Sequence, residues 1–397
     1  MTGRLGLSAK HVRDGAVIIV ITALLFVAIE LTLKIFWPQL LPERTYLHGT
    51  SLMIPDKTQG WVNRPNADVV VQNQEYRVEY KINAQGLRDE TPHSPGVGPG
   101  CIRILLLGNS FTFGEGNDYA KEWPVLLESL LKQSGYAVDV VKAGVEGYNT
   151  RQEVQYLQML VAEYHPSLVL IAFLPNDLFT NTPFDAPVPD PSSVNDVAIG
   201  SSAQDTAGSH AAETPRGRLE RLVRSVSHVL NSVALARRVM FASDFLYLRL
   251  CLATPRAQYF TNPPSQVLSS QLKLTQTLLR AGFDYCAARG VGFGVVSIPL
   301  EFQVIEGARD AHLKGIDAGI VDSVMAKFAA TEGFPWMVAL PAVTQAYESS
   351  ATPLYFRVDG HLNNAGNALV ARFLAQRLVA LHLLSTKQTA SRPRLRG

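Results

Sequence analysis

The chain is expected to fold as an α/β domain, a parallel sheet with helices on both faces. Three observations lead there. First, short apolar runs recur: Ile104 to Leu107, Val138 to Ala143 and Leu168 to Phe173. Runs of that length suit strands buried on both faces. Second, stretches of helical length separate them, and strand–helix alternation is the pattern of a parallel sheet. Third, every run ends in small or polar residues: Gly108-Asn-Ser110, Gly144-Val-Glu-Gly147 and Leu174-Pro-Asn176-Asp177. Those residues fall at the carboxyl edge of the sheet, where open α/β sheets hold ligands.

At the front, residues 15–33 are almost wholly apolar and about long enough to cross a bilayer core. Glu30 interrupts the run, and Lys34 lies one helical turn later, able to pair with it at the interface. Arg4, Lys10 and Arg13 precede the run, which predicts an N-terminus inside and the remaining chain outside. We therefore expect a cytoplasmic N-terminus over 1–14 and an uncleaved transmembrane anchor over 15–37. A cleaved signal peptide is the competitor, but no Ala-x-Ala site follows.

Residues 38–100 read as a β-rich lead-in and linker. Alternation between Asp68 and Ile82 predicts two strands, and a Pro/Gly linker closes the region. The main domain, 101–384, opens with the first apolar run, a helix over 119–133, the second run, a helix over 151–164, and the third run. Residues 178–264 form an insertion, polar and Pro/Ser-rich at first and then helical with many arginines. The pattern resumes with a helix over 265–289, a strand over 292–298, a helix over 311–331, a strand over 336–340 and a closing helix over 364–384. Residues 385–397 read as a disordered basic tail.

Composition narrows the function. The 397 residues carry a formal charge of +2, which does not suggest nucleic-acid binding. The three cysteines, Cys101, Cys251 and Cys286, lack metal or redox spacing. With no metal-ligand cluster or Walker loop, no cofactor and no metal are expected.

What remains is an acyl-transfer constellation. A hydroxyl needs a base to remove its proton, and the base needs an orienting acid. Ser110 can attack, His361 can take the proton, and Asp359 can hold the imidazole tautomer, with Asp177 as the alternative acid. An oxyanion needs donors. The backbone N–H groups of Ser110 and Gly147 and the Asn176 amide can supply them, while Gly144 reads as a turn residue.

The set Gly-Asn-Ser110, Gly147, Asn176 and Asp359-Gly-His361 resembles the four blocks of the SGNH hydrolases, the GDSL-like esterase and lipase superfamily. The lead-in Ile82-Asn-Ala-Gln-Gly-Leu-Arg-Asp89 is similar to that of membrane-anchored bacterial members. The resemblance implies a three-layer α/β/α, flavodoxin-like sandwich that cleaves or transfers acyl groups. Three features depart from the family pattern, one of them Pro175 of the third block, where glycine is common. Asn109 stands where aspartate is usual, and one residue separates Asp359 from His361 where two are usual.

The expected function is a serine esterase acting on acyl esters, with O-acetyl a candidate. It would sit in the cell inner membrane with its main domain periplasmic, and an acetylated glycan is a candidate substrate. An O-acyltransferase modifying envelope polysaccharide is the alternative. A non-catalytic envelope scaffold or glycan-binding protein is the third option.

Overall fold

The computed structural model describes residues 45–49, 51–90, 92–186, 244–252, 254–308, 313–350 and 352–384, with nine positions between 17 and 28. The expectations for most of 1–44, for the centre of the insertion (187–243) and for the tail over 385–397 lie outside the described residues. Of the proposed anchor, Val17, Ile18, Val20, Ile21, Leu24, Leu25 and Val27 are helical, and all seven side chains are exposed. No helix among the described residues is long and apolar enough to cross a membrane.

Among its described residues the lead-in holds five strands, not two: β1 (Thr45–His48), β2 (Met53–Asp56), β3 (Gly60–Asn63), β4 (Asp68–Gln72) and β5 (Arg77–Lys81). β1, β4 and β5 form an antiparallel sheet, and β2 and β3 form a hairpin. The three additional strands are four residues each, too short to show alternation. Val69, Val71, Tyr76, Val78 and Tyr80 bury one face of this unit, and Phe113 of the main domain packs among them.

The main sheet contains β6 (Ile102–Gly108), β7 (Val138–Gly144), β8 (Leu168–Phe173), β9 (Gly292–Ser297) and β10 (Trp336–Val338). All pairings are parallel, in the order β7-β6-β8-β9-β10. Counted along the domain this is 2-1-3-4-5, the flavodoxin-like order, with its ligand crevice between the first and third strands.

Successive residues of β6 feed opposite cores, as a strand's two-residue period requires. Leu105 and Leu107 join the core beneath α3 (Thr150–Tyr164), α6 (Gln266–Ala287) and α8 (Ile320–Glu332). Ile104 and Leu106 join the one beneath α2 (Trp123–Gln133) and α10 (Asn364–Ala380). These are the three layers.

Local chemistry moved several boundaries. Ser110 opens a short helix, α1 (Ser110–Phe113), ahead of the helix expected over 119–133, with Asn109 as its cap. A 3-10 turn over Tyr119–Lys121 precedes α2, whose first turn contains a proline. The helix expected over 311–331 starts only at Ile320. Ahead of it Gly315 has φ +77°, and Asp317 Oδ1 accepts from Gly319 N, which makes that stretch a turn. The strand expected over 336–340 ends at Val338 because a proline in the first turn starts α9 (Leu340–Ser349). Two other short helices were not foreseen, α4 (Asp177–Thr180) and α7 (Glu301–Gly307). Of the insertion's helical half, α5 (Asp244–Leu252) is described.

Candidate active site

Gly108 at the end of β6 is in register with Gly144 of β7 and Ala172 of β8. The three loops that follow therefore leave the sheet side by side. Ser110 lies two residues past that register, Gly147 three and Asn176 four. Gly144 is a strand residue rather than the expected turn residue. A Cβ there would lie 2.3 Å from Phe113 N, so its missing side chain is what lets α1 settle on the sheet edge.

The fourth segment arrives from the far end of the chain. Phe356 N donates to His361 O and Gly360 N to Phe356 O, which closes residues 356–361 into a tight loop. Gly360 takes φ +84°, a conformation glycine adopts without strain. That reversal lets a single intervening residue turn Asp359 back onto His361. Ser110 Oγ lies 2.7 Å from His361 Nε2, and His361 Nδ1 lies 2.5 Å from Asp359 Oδ1. Both members of the second pair are largely shielded, His361 at 13% and Asp359 at 7% side-chain exposure. Phe111 packs against the imidazole at 4.9 Å between centroids.

Asp177 is bonded elsewhere. Its carboxylate accepts from Asn109 Nδ2 (3.0 Å), Thr150 Oγ1 (3.4 Å) and Leu174 N (3.4 Å). This accounts for the amide at position 109. Asn109 Oδ1 caps α1 through Phe111 N while its Nδ2 donates to a carboxylate, which an ionised aspartate could not do. Asn176 stands at the start of α4 but makes no capping bond, and its buried Oδ1 has no hydrogen-bond partner among the described residues. Its amide is thus not tied into the turn beside it. Gly147, with φ +76°, presents a backbone conformation that favours glycine.

Residues of the lead-in, which sequence reasoning did not single out, grip three of these segments. Arg88, itself buried, donates to the carbonyls of Phe113 (3.0 Å) and Gly114 (2.9 Å) at the end of α1. Asn63 donates to Gly144 O (3.1 Å) and Trp61 Nε1 to Glu146 O (2.8 Å). At the β4–β5 corner, Glu75 accepts from Val358 N and Asp359 N, while Asn73 Nδ2 (3.3 Å) and the Tyr76 hydroxyl (3.0 Å) donate to Asp359 Oδ2. Arg88 falls in the lead-in motif quoted above and was the one readable hint. Arg357 links the same loop to Glu301 (2.7 Å) and to Asp244 of α5 (2.6 Å). Burial pushes Glu301 up to about 7, against the pull of the Arg357 charge.

Beneath the site Glu153 of α3 is fully buried, and neither carboxyl oxygen has a hydrogen-bond partner among the described residues. Burial pushes both Glu153 and Asp177 up, and the Asp177 charge pushes Glu153 further. The folded state therefore holds protons that the unfolded chain releases above the ordinary carboxylate range. Stability must fall as pH rises from that range through the raised values. Glu153→Gln is expected to flatten the decline in thermal midpoint between pH 5 and pH 8. Circular dichroism melts of both proteins at the two pH values check this; equal declines would assign the slope to other groups.

Comparison with known proteins gives three results. The profile of the GDSL-like Lipase/Acylhydrolase family matches residues 106–369. An arylesterase of Vibrio mimicus is 33% identical over 75 residues, 19% of this chain and 38% of that protein. Esterase TesA of Pseudomonas aeruginosa is 34% identical over 74 residues, 19% of this chain and 37% of that one. The match thus spans little more than a third of either relative's length. Among solved structures, the psychrotrophic esterase EstA from Pseudoalteromonas sp. aligns with a TM-score of 0.39 and 12% identity, over 71% of this chain and 98% of that one.

Proposed function

The chain belongs to the GDSL-like lipase/acylhydrolase family, and from that premise we propose that it is a serine ester hydrolase working through Ser110, His361 and Asp359. The observation that carries this reading is the continuous hydrogen-bonded line from Ser110 Oγ through the imidazole to Asp359. His361 carries its proton on Nδ1, donated to Asp359, and leaves Nε2 to accept from the serine. Ser110 Oγ attacks the ester carbonyl as Nε2 takes its proton. The tetrahedral oxyanion is met by the N–H groups of Ser110 and Gly147 and by the Asn176 amide. The imidazolium then protonates the departing alkoxide, leaving an acyl-enzyme. Water, deprotonated by the same Nε2, attacks the acyl carbonyl; the second tetrahedral intermediate collapses, Nε2 returns the proton to Ser110 Oγ, and the acid leaves.

The substrate is an acyl ester, with an O-acetylated glycan as the candidate. The hydrolase domain lies on the periplasmic side of the inner membrane, tethered by residues 15–37. Support for the tether comes from the apolar run, the basic residues ahead of it, and the exposed apolar side chains at its described helical positions.

The test is turnover of a chromogenic acetyl ester by the wild-type protein and by Asn176→Ala. If the amide meets the oxyanion, kcat falls by about 10²–10³-fold with little change in KM. A change confined to KM would make Asn176 a ground-state binding residue. Repeating the assay with a carbohydrate acceptor separates hydrolysis from acyl transfer, because transfer diverts the acyl group from water to a sugar hydroxyl.

A further inference from the structure

We propose that Asn73 and Tyr76, at the β4–β5 corner of the lead-in, are positioning residues for Asp359, so that the lead-in completes the catalytic centre. The proposal rests on the reading of Asp359 as the orienting acid. A carboxylate that steers an imidazole must present one oxygen in a fixed direction, and its second oxygen is the handle by which that direction is held. Here the first oxygen, Oδ1, faces His361 Nδ1. The second, Oδ2, is held by two side-chain donors of one corner, the Tyr76 hydroxyl and the Asn73 amide.

The same corner holds the backbone. Glu75 accepts from Asp359 N at 2.7 Å and from Val358 N at 3.0 Å. Asn73 Oδ1 in turn accepts from Glu75 N and Tyr76 N, so one side chain fixes the two other residues of the corner that reach the loop. Tyr76 is braced by Phe356 of the catalytic loop at 5.1 Å between ring centroids. Gly116, at φ +76°, leaves the space these two rings occupy; a Cβ there would lie 2.7 Å from Phe356 and 2.8 Å from Tyr76.

The groups facing Asp359 come from several elements. Glu75 and Tyr76 approach from the lead-in and His361 from its own loop. Glu115, just past α1, lies 2.9 Å from the Tyr76 hydroxyl and accepts the Tyr80 hydroxyl at 2.6 Å. Arg357 is paired to Glu301 and Asp244 on the other side. Tyr76 has one proton and two carboxylate neighbours. Its donation to Asp359 sets how much of that carboxylate's charge is left for the imidazole.

The experiment uses the full chain, with Tyr76→Phe, Asn73→Ala, Asp359→Asn and, as a control, Tyr119→Phe. Tyr119 makes the same kind of bond between the two units, to Asp89 at 2.6 Å, away from the catalytic loop. Tyr76→Phe is expected to lower kcat about 10-fold at unchanged KM, the worth of one hydrogen bond to a charged group. It should also move the acidic limb of the kcat/KM profile upward, because a carboxylate with one donor fewer attracts the imidazole proton more strongly. Asn73→Ala should act in the same direction. Tyr119→Phe should leave both readouts in place whatever it does to the melting temperature. If Tyr76→Phe and Asn73→Ala keep the wild-type kcat and pH profile while Asp359→Asn is inactive, the positioning role is wrong and the acid assignment survives. If their losses only follow a fall in melting temperature, with the acidic limb unmoved, the contacts are structural and the proposal is overturned. An active Asp359→Asn would remove the acid assignment itself.

Discussion

Replacing Ser110 with alanine is expected to reduce ester turnover by about 10⁵–10⁶-fold, to the background rate, without unfolding the protein. The size follows from the loss of the nucleophile in a unit whose members act together. What survives comes from the oxyanion donors and binding alone. The fold should persist because the Ser110 hydroxyl is committed to His361 Nε2, while α1 is held by other groups. Asn109 caps it, Phe113 is buried among lead-in side chains, and Arg88 binds its terminal carbonyls. Alanine is also a strong helix former. A fluorophosphonate probe should label the wild-type protein at Ser110 and fail to label the variant, as read by peptide mass mapping. Labelling at another residue, or wild-type rates from the variant, would sink the nucleophile assignment.

Asp359→Asn should lower kcat by about 10⁴-fold with KM little changed. The neighbours make this loss unusually well defined. Asp359 Oδ2 receives two donors, from Tyr76 and Asn73. An asparagine in the same place would turn its carbonyl oxygen toward those donors. Its amide N–H would then point at His361 Nδ1, which must accept, and the ring proton must move to Nε2. Nε2 then faces Ser110 as a donor and cannot take the serine's proton. If Asp177 were the orienting acid, the change would be mild, but Asp177 is occupied by Asn109, Thr150 and Leu174 N. Steady-state kinetics over pH 5–9 decide between them.

The parallel sheet was legible because its signal is local. Ile102–Gly108, Val138–Gly144, Leu168–Phe173 and Gly292–Ser297 are short, largely apolar strands, and their bounds fall within a residue or two of expectation. Segments with weaker local signals were misread. The four-residue strands of the lead-in leave no alternation to count, and the turn at 313–319 looks helical until Gly315 takes its positive φ and the Asp317 side chain binds Gly319 N. The β6–β8 crevice was foreseeable from strand order, but the order itself depends on which strands pair.

Residue types and their positions on sheet rims were enough to nominate Ser110, Gly147, Asn176, Asp359 and His361, since each is a short-range feature: a strand end, a turn, a residue before a helix. The sequence by itself thus determined the sheet, its carboxyl edge and the chemical groups presented there. It was the tertiary structure that decided between Asp359 and Asp177 as partner of the imidazole, gave Gly144 its reason, and brought Asn73, Glu75 and Tyr76 to a loop more than 280 residues away. The physical reason is range. Backbone periodicity and turn preference act over a few residues and leave a pattern in order, whereas a hydrogen bond between distant side chains leaves none until the cores on both faces have closed.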